Sequence, residues 1–160
     1  MDEAQVKNLI KVWYDKGRNE QDLFSKFIFL WFCFNAWIAY RSSKDSDDGM
    51  MRELVARDVR MSEITTVYDT LMQATPMVFR VHIQNLVRRS PIRDPRGIKA
   101  PTVIANENDF PNIMWGIYKI RCNLFHGGKN AGDPRDQKLV SIAGNILEKL
   151  VGGIISQWIP

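Results

Sequence analysis

The chain has 160 residues, 45% of them hydrophobic and 25% charged, enough for one buried core and unlike the composition of a disordered chain. Its formal charge of +4 is compatible with a polyanionic partner without demanding one. Two cysteines, Cys33 and Cys122, exclude a disulfide framework and lack metal-ligand spacing, which suits a reducing cytoplasm.

The first residues, Met1-Asp2-Glu3-Ala4-Gln5, are acidic and polar, unlike a secretory signal. Residues 4–16 carry Val6, Leu9, Ile10, Val12 and Trp13 near helical spacing, which predicts a helix closed by Gly17 as a C-terminal glycine cap. A second helix is expected from about Asp22 to about Arg41. Its run Phe27-Ile28-Phe29-Leu30-Trp31-Phe32-Cys33-Phe34 is apolar on every face, which implies burial on all sides. Either this helix is central in a monomer or a second subunit covers its remaining face, and a homodimer is expected on that ground. Its greasiest segment, Phe24 to Tyr40, is interrupted by Lys26 and Asn35 and falls short of the roughly 20 residues a bilayer span needs, so it reads as a core helix and not a membrane segment.

Residues 42–49 form a polar turn, with Asp47 or Asp48 as the N-cap of the next helix. Short helices are expected over 50–59, 62–72 and 76–87, the last with Pro76 in its first turn; the three pieces read as one broken helix or two. Residues 88–111 are the longest irregular stretch, holding Pro91, Pro95, Gly97, Pro101 and Pro111. Their first half is basic: Arg88, Arg89, Arg93, Arg96 and Lys99 face a single carboxylate, Asp94. This is the chain's best electrostatic candidate for contacting phosphates, although such a run also fits a solvated loop. A helix over 110–125, with Asp109 as N-cap, is stopped by Gly127 and Gly128. A last helix begins near Asp133-Pro134, with Gly152-Gly153 weakening its end. No strand-like alternation and no repeats compete with these periods. The fold class is therefore all-α, an up-and-down helical bundle of about five to seven helices in a single domain over 1–160.

The chemistry concentrates in Ile120-Arg121-Cys122-Asn123-Leu124-Phe125-His126-Gly127-Gly128-Lys129. His126, one of two histidines, can give and take a proton near neutral pH. Arg121 stays charged and offers a planar fork that fits phosphate oxygens. Together they are the minimum equipment for cleaving RNA without a metal. Five residues advance about 500° on a helix, so the two lie roughly 140° apart. The pair works better if His126 sits in the frayed final turn, and a second subunit across a twofold axis brings two such pairs into one cleft. A histidine at a helix C-terminus also fits simple capping. His82, in an amphipathic helix without a partner motif, reads as structural.

Arg121-x4-His126, at the end of an apolar helix and before Gly127-Gly128-Lys129, resembles the signature of the HEPN superfamily. The aromatic segment Phe29-Leu30-Trp31-Phe32-Cys33-Phe34-Asn35-Ala36-Trp37 also resembles the early core helix of several HEPN branches, so the resemblance spans most of the chain. It implies a small, often dimeric helical bundle. It further implies a metal-independent endoribonuclease of toxin–antitoxin or anti-phage systems that leaves a 2′,3′-cyclic phosphate. In that reading His126 transfers protons, Arg121 holds the scissile phosphate and Asn123 positions either group. Lys129 adds a phosphate contact or is simply solvated, and the basic Arg88, Arg89, Arg93 and Arg96 are the substrate-binding candidates by their charge. No cofactor or metal is implied. The partners are RNA, a second copy and, in a toxin setting, a nucleotidyltransferase-like antitoxin protein. One position departs from the pattern: active members commonly carry a polar residue directly after the arginine, where this chain has Cys122, a weak donor. The alternative is therefore a catalytically inactive HEPN module that binds RNA, a nucleotide or a partner protein.

Overall fold

The computed structural model describes residues 1–94, 97, 99–127 and 130–159. The described residues form seven α-helices: α1 Glu3–Arg18, α2 Leu23–Arg41, α3 Asp47–Val55, α4 Ser62–Gln73, α5 Val78–Arg88, α6 Phe110–Phe125 and α7 Pro134–Trp158. A 3-10 turn, Val59–Met61, leads into α4. No strand occurs among the described residues, and the expected all-α bundle is the fold.

Local chemistry sets most of the helix starts. Asp2 accepts the Gln5 N–H while the Gln5 side chain accepts the Asp2 N–H, a capping box. Asp22, Asp109 and Asp133 cap α2, α6 and α7 with their carboxylates. At α3 the cap is Ser46, not Asp47 or Asp48. Both aspartates instead occupy the first turn, where the helix dipole favours negative charge.

Several boundaries differ from the sequence pattern for tertiary reasons. Gly17 does not end α1; it is buried inside the helix, and a Cβ there would sit 3.0 Å from Leu30 of α2. The glycine lets the two helices approach. Gly152 and Gly153 likewise do not weaken α7, which continues to Trp158. A Cβ on Gly152 would meet the Tyr14 hydroxyl at 2.7 Å, and one on Gly153 would collide with Val67. The segment expected over 50–59 stops at Val55, because Arg57 adopts a left-handed φ of 55°. Pro76 lies outside α5, its carbonyl accepting the Val78 N–H in a tight turn. The three pieces are three separate helices.

α7 is the axis of the bundle, packed by α1, α2, α4, α5 and α6. Its Val140, Ala143, Ile146, Leu147 and Leu150 are fully enclosed. α2 buries Phe27, Leu30, Phe34 and Trp37 but not its whole circumference, for Phe32 stays 40% exposed. α2 and α7 are each long and apolar enough to cross a membrane by length and composition; here both pack within the bundle.

The stretch after α5 is pinned at several of its described residues. Ile92 and Thr102 exchange two backbone hydrogen bonds of 2.8 Å, and Ser90 Oγ accepts the Ile104 N–H at 2.8 Å. Lys119 Nζ donates to the Ala100 carbonyl at 2.7 Å. Farther on, Glu107 accepts from Arg80 at 3.1 Å and Gln84 at 3.0 Å, tying the stretch back to α5. An irregular segment so fastened can hold one wall of a site.

Candidate active site

Arg121 and His126 occupy the last turn and the cap of α6, where the chain stops being helical. His126 is the C-cap residue, its N–H donating to the Cys122 carbonyl, while the Gly127 N–H donates to the Leu124 carbonyl. Gly127 follows with φ of 72°, a left-handed conformation in which a glycine avoids the Cβ clash. The imidazole is exposed, as the frayed-turn reading expects, and it lines a cavity of about 570 Å³ between α6, α3 and the pinned stretch.

Arg121 points elsewhere. Its guanidinium lies over the rings of Phe125 at 4.7 Å, Tyr118 at 5.7 Å and Trp31 at 5.8 Å. Nη2 is 3.4 Å from the Asp47 carboxylate, and Nη1 donates weakly to Cys122 Sγ at 3.7 Å. Three rings around one cation fix its position. The reason is packing: α2 meets α6 through Trp31 and Tyr118, ring centroids 6.1 Å apart, and α3 carries Asp47 to the same place. Arg121 is not on the wall of the His126 cavity. Within one chain the two groups thus face different sides of the helix end, as their five-residue spacing expects.

Asn123 is fully buried. Its Nδ2 donates to the Arg93 carbonyl at 3.2 Å, and its Oδ1 has no hydrogen-bond partner among the described residues. The residue braces the pinned stretch against α6, and its burial removes it from direct contact with a substrate. The basic run is also divided. Arg88 donates to Asn85 at 3.0 Å and Arg89 is the exposed C-cap of α5. Arg93 borders a separate small cavity with Arg135 and Asp136. Only Lys99 of that run lines the His126 cavity; Arg96 and Lys129 lie outside the described residues.

The cavity has members that the motif alone did not single out. Asn112, Trp115, Lys119, Cys122 and His126 follow one another at steps of three and four, and all five line it. That spacing was available in the sequence as a mixed aromatic and polar stripe on α6. Asp47 left no such signal, since nothing local links it to a residue on another helix. The Tyr118 phenol is pushed well above its ordinary pKa, first by burial and then by Cys122 and Asp47, so at neutral pH it is a proton donor in hydrogen bonds and not a base. Cys33 is a different kind of thiol: burial raises its pKa to about 12, and it packs as a small hydrophobe. No group of three or more His, Cys, Asp or Glu side chains among the described residues is placed to hold a metal ion. No family model matches the chain, and no curated protein or solved structure matches it either.

Proposed function

We propose that this chain is a metal-independent endoribonuclease of HEPN type, with His126 as the proton-transfer group and Arg121 as the cation for the transition state. The observation that carries the reading is the exposed imidazole of His126 on the rim of a cavity that also holds lysines and aromatic rings. In the reaction the RNA 2′-oxygen attacks the neighbouring phosphorus and the bond from phosphorus to the 5′-oxygen breaks. An imidazole takes the 2′-hydroxyl proton, and an imidazolium gives one to the departing 5′-oxygen. Arg121 offsets the charge that gathers on the phosphate. One chain supplies one imidazole at this site, and its Arg121 faces away from its own His126. A second copy across a twofold axis provides the missing acid or base and lets one chain's arginine serve the other's histidine. A role in defence or as a toxin, with a nucleotidyltransferase-like antitoxin, rests on the sequence resemblance.

The test is RNA incubated with the protein in chelator. The wild type is expected to leave 2′,3′-cyclic phosphate ends, and His126→Ala and Arg121→Ala are each expected to slow cleavage by about 10²–10⁴-fold with unchanged far-UV circular dichroism. Cleavage at the wild-type rate in both variants overturns the reading.

One observation favours the second reading, a non-catalytic HEPN module that binds RNA. Asp47 already neutralises Arg121 in part, and Cys122 stands where a stronger hydrogen-bonding group is usual. That module binds RNA with steep salt dependence and releases no product.

A further inference from the structure

The α6 stripe reaches well beyond His126. Trp115 is half-buried on the cavity wall, with its ring edge-on to Tyr118 at a centroid distance of 5.7 Å. Lys99 and Lys119 stand on the same cavity. Two carboxylates share the cavity with these lysines. Asp48 is paired with Arg52 at 2.7 Å, and Asp94 accepts the Lys99 backbone N–H at 3.3 Å. Lys119 spends one donor on the Ala100 carbonyl and keeps two.

The volume of about 570 Å³ falls in the range of small-molecule sites. An aromatic wall beside flexible cations is the chemistry of single-stranded nucleic-acid binding, in which a base stacks and its phosphate is neutralised. The geometry points to a base-binding subsite: the cavity takes one unpaired nucleotide, its base on Trp115 and its phosphate between Lys99 and Lys119.

The subsite rests on the ribonuclease reading for its place on an RNA strand, but the unit it takes, a nucleoside monophosphate, is defined by the cavity. Trp115 precedes His126 by eleven residues, about 16 Å along the helix axis. The stacked base is therefore not the one whose 2′-hydroxyl reacts but another farther along the strand. The subsite selects where the strand is cut.

Titration of the intact chain with adenosine 5′-monophosphate, followed by calorimetry, tests this, with adenosine and inorganic phosphate as separate arms. Saturable one-to-one binding of the monophosphate is expected, tighter than either part alone. Trp115→Leu is expected to weaken it about tenfold or more, and Trp115→Phe, which keeps a ring, by only about twofold. Lys99→Ala is expected to weaken it about threefold and to flatten its salt dependence. Circular dichroism reports folding, and if Trp115→Leu is misfolded the Phe and Lys99 variants decide. Absent binding, equal affinity in all variants, or inorganic phosphate binding as tightly as the nucleotide overturns the subsite. The probe is not cleaved, so the two readings fail separately. Metal-independent cleavage without nucleotide binding removes the subsite alone. Nucleotide binding without cleavage removes the ribonuclease and leaves the subsite.

Discussion

At Arg121 the proposed RNA phosphate and the Asp47 carboxylate compete for one guanidinium. Asp47 is 45% exposed and 3.4 Å away, so a phosphate entering from solvent has to displace a carboxylate held by a single, partly screened contact. Pairs of this kind contribute at most about 1 kcal/mol. Asp47→Asn is therefore expected to tighten RNA binding by up to about fivefold and to steepen its salt dependence, measured by fluorescence anisotropy of a labelled oligonucleotide. Unchanged affinity would show that Asp47 does not guard the arginine. His82, the other histidine, is a stability group. Burial holds its pKa below the ordinary value, with Lys149 adding repulsion and Glu148 opposing it. The unfolded chain then binds more protons at this site between the two pKa values, so the His82 contribution to stability is flat above about pH 6.5 and falls as pH drops through that value. His82→Gln is expected to shrink the drop in Tm between pH 7.5 and pH 5.5. An equal drop in the variant would assign the acid sensitivity elsewhere.

The glycines of α7 show how an element's own preference and its packing can disagree. Ala is the better helix former by about 1 kcal/mol, so propensity alone favours replacing every mid-helix glycine. At Gly144 a Cβ has nothing within 4 Å, and Gly144→Ala is expected to stabilise by about 0.5–1 kcal/mol. At Gly153 the Cβ collides with Val67 of α4, and Gly153→Ala is expected to destabilise by about 1–3 kcal/mol despite the same helix gain. Urea unfolding separates the two by sign, and a stabilised Gly153→Ala would mean that α4 yields freely. The same conflict explains the misplaced helix ends. Gly17 and Gly152-Gly153 carry the local signal of a stop, yet each marks a close approach that only the neighbouring helix makes necessary. The stretch after α5 shows the converse. Pro91 and Pro101 fall, as expected, outside any regular helix, while the Ile92–Thr102 pairing and the Asn123 brace arise from residues remote in sequence.

At the scale of the whole molecule, one core organised around α7 leaves the end of α6 at the surface. The proposed cleft of two chains makes the proposed activity depend on concentration: RNA cleavage per chain is expected to fall on dilution in step with dimer dissociation followed by sedimentation velocity. Full activity from a monomer would sink the two-chain site. The sequence by itself determined the all-α class, the Asp109 and Asp133 caps and His126 at a helix end before a left-handed glycine, because hydrophobic period, capping and backbone sterics act within a few residues. It also carried the stripe from Asn112 to His126, since steps of three and four on a helix suffice to align it. Only the tertiary structure decided that Arg121 meets Asp47 and three rings, that Asn123 is a buried brace and not a substrate contact, and that Lys99 alone of the described basic run joins His126. Those outcomes depend on which helices pack together, and no local rule of charge or periodicity fixes that choice.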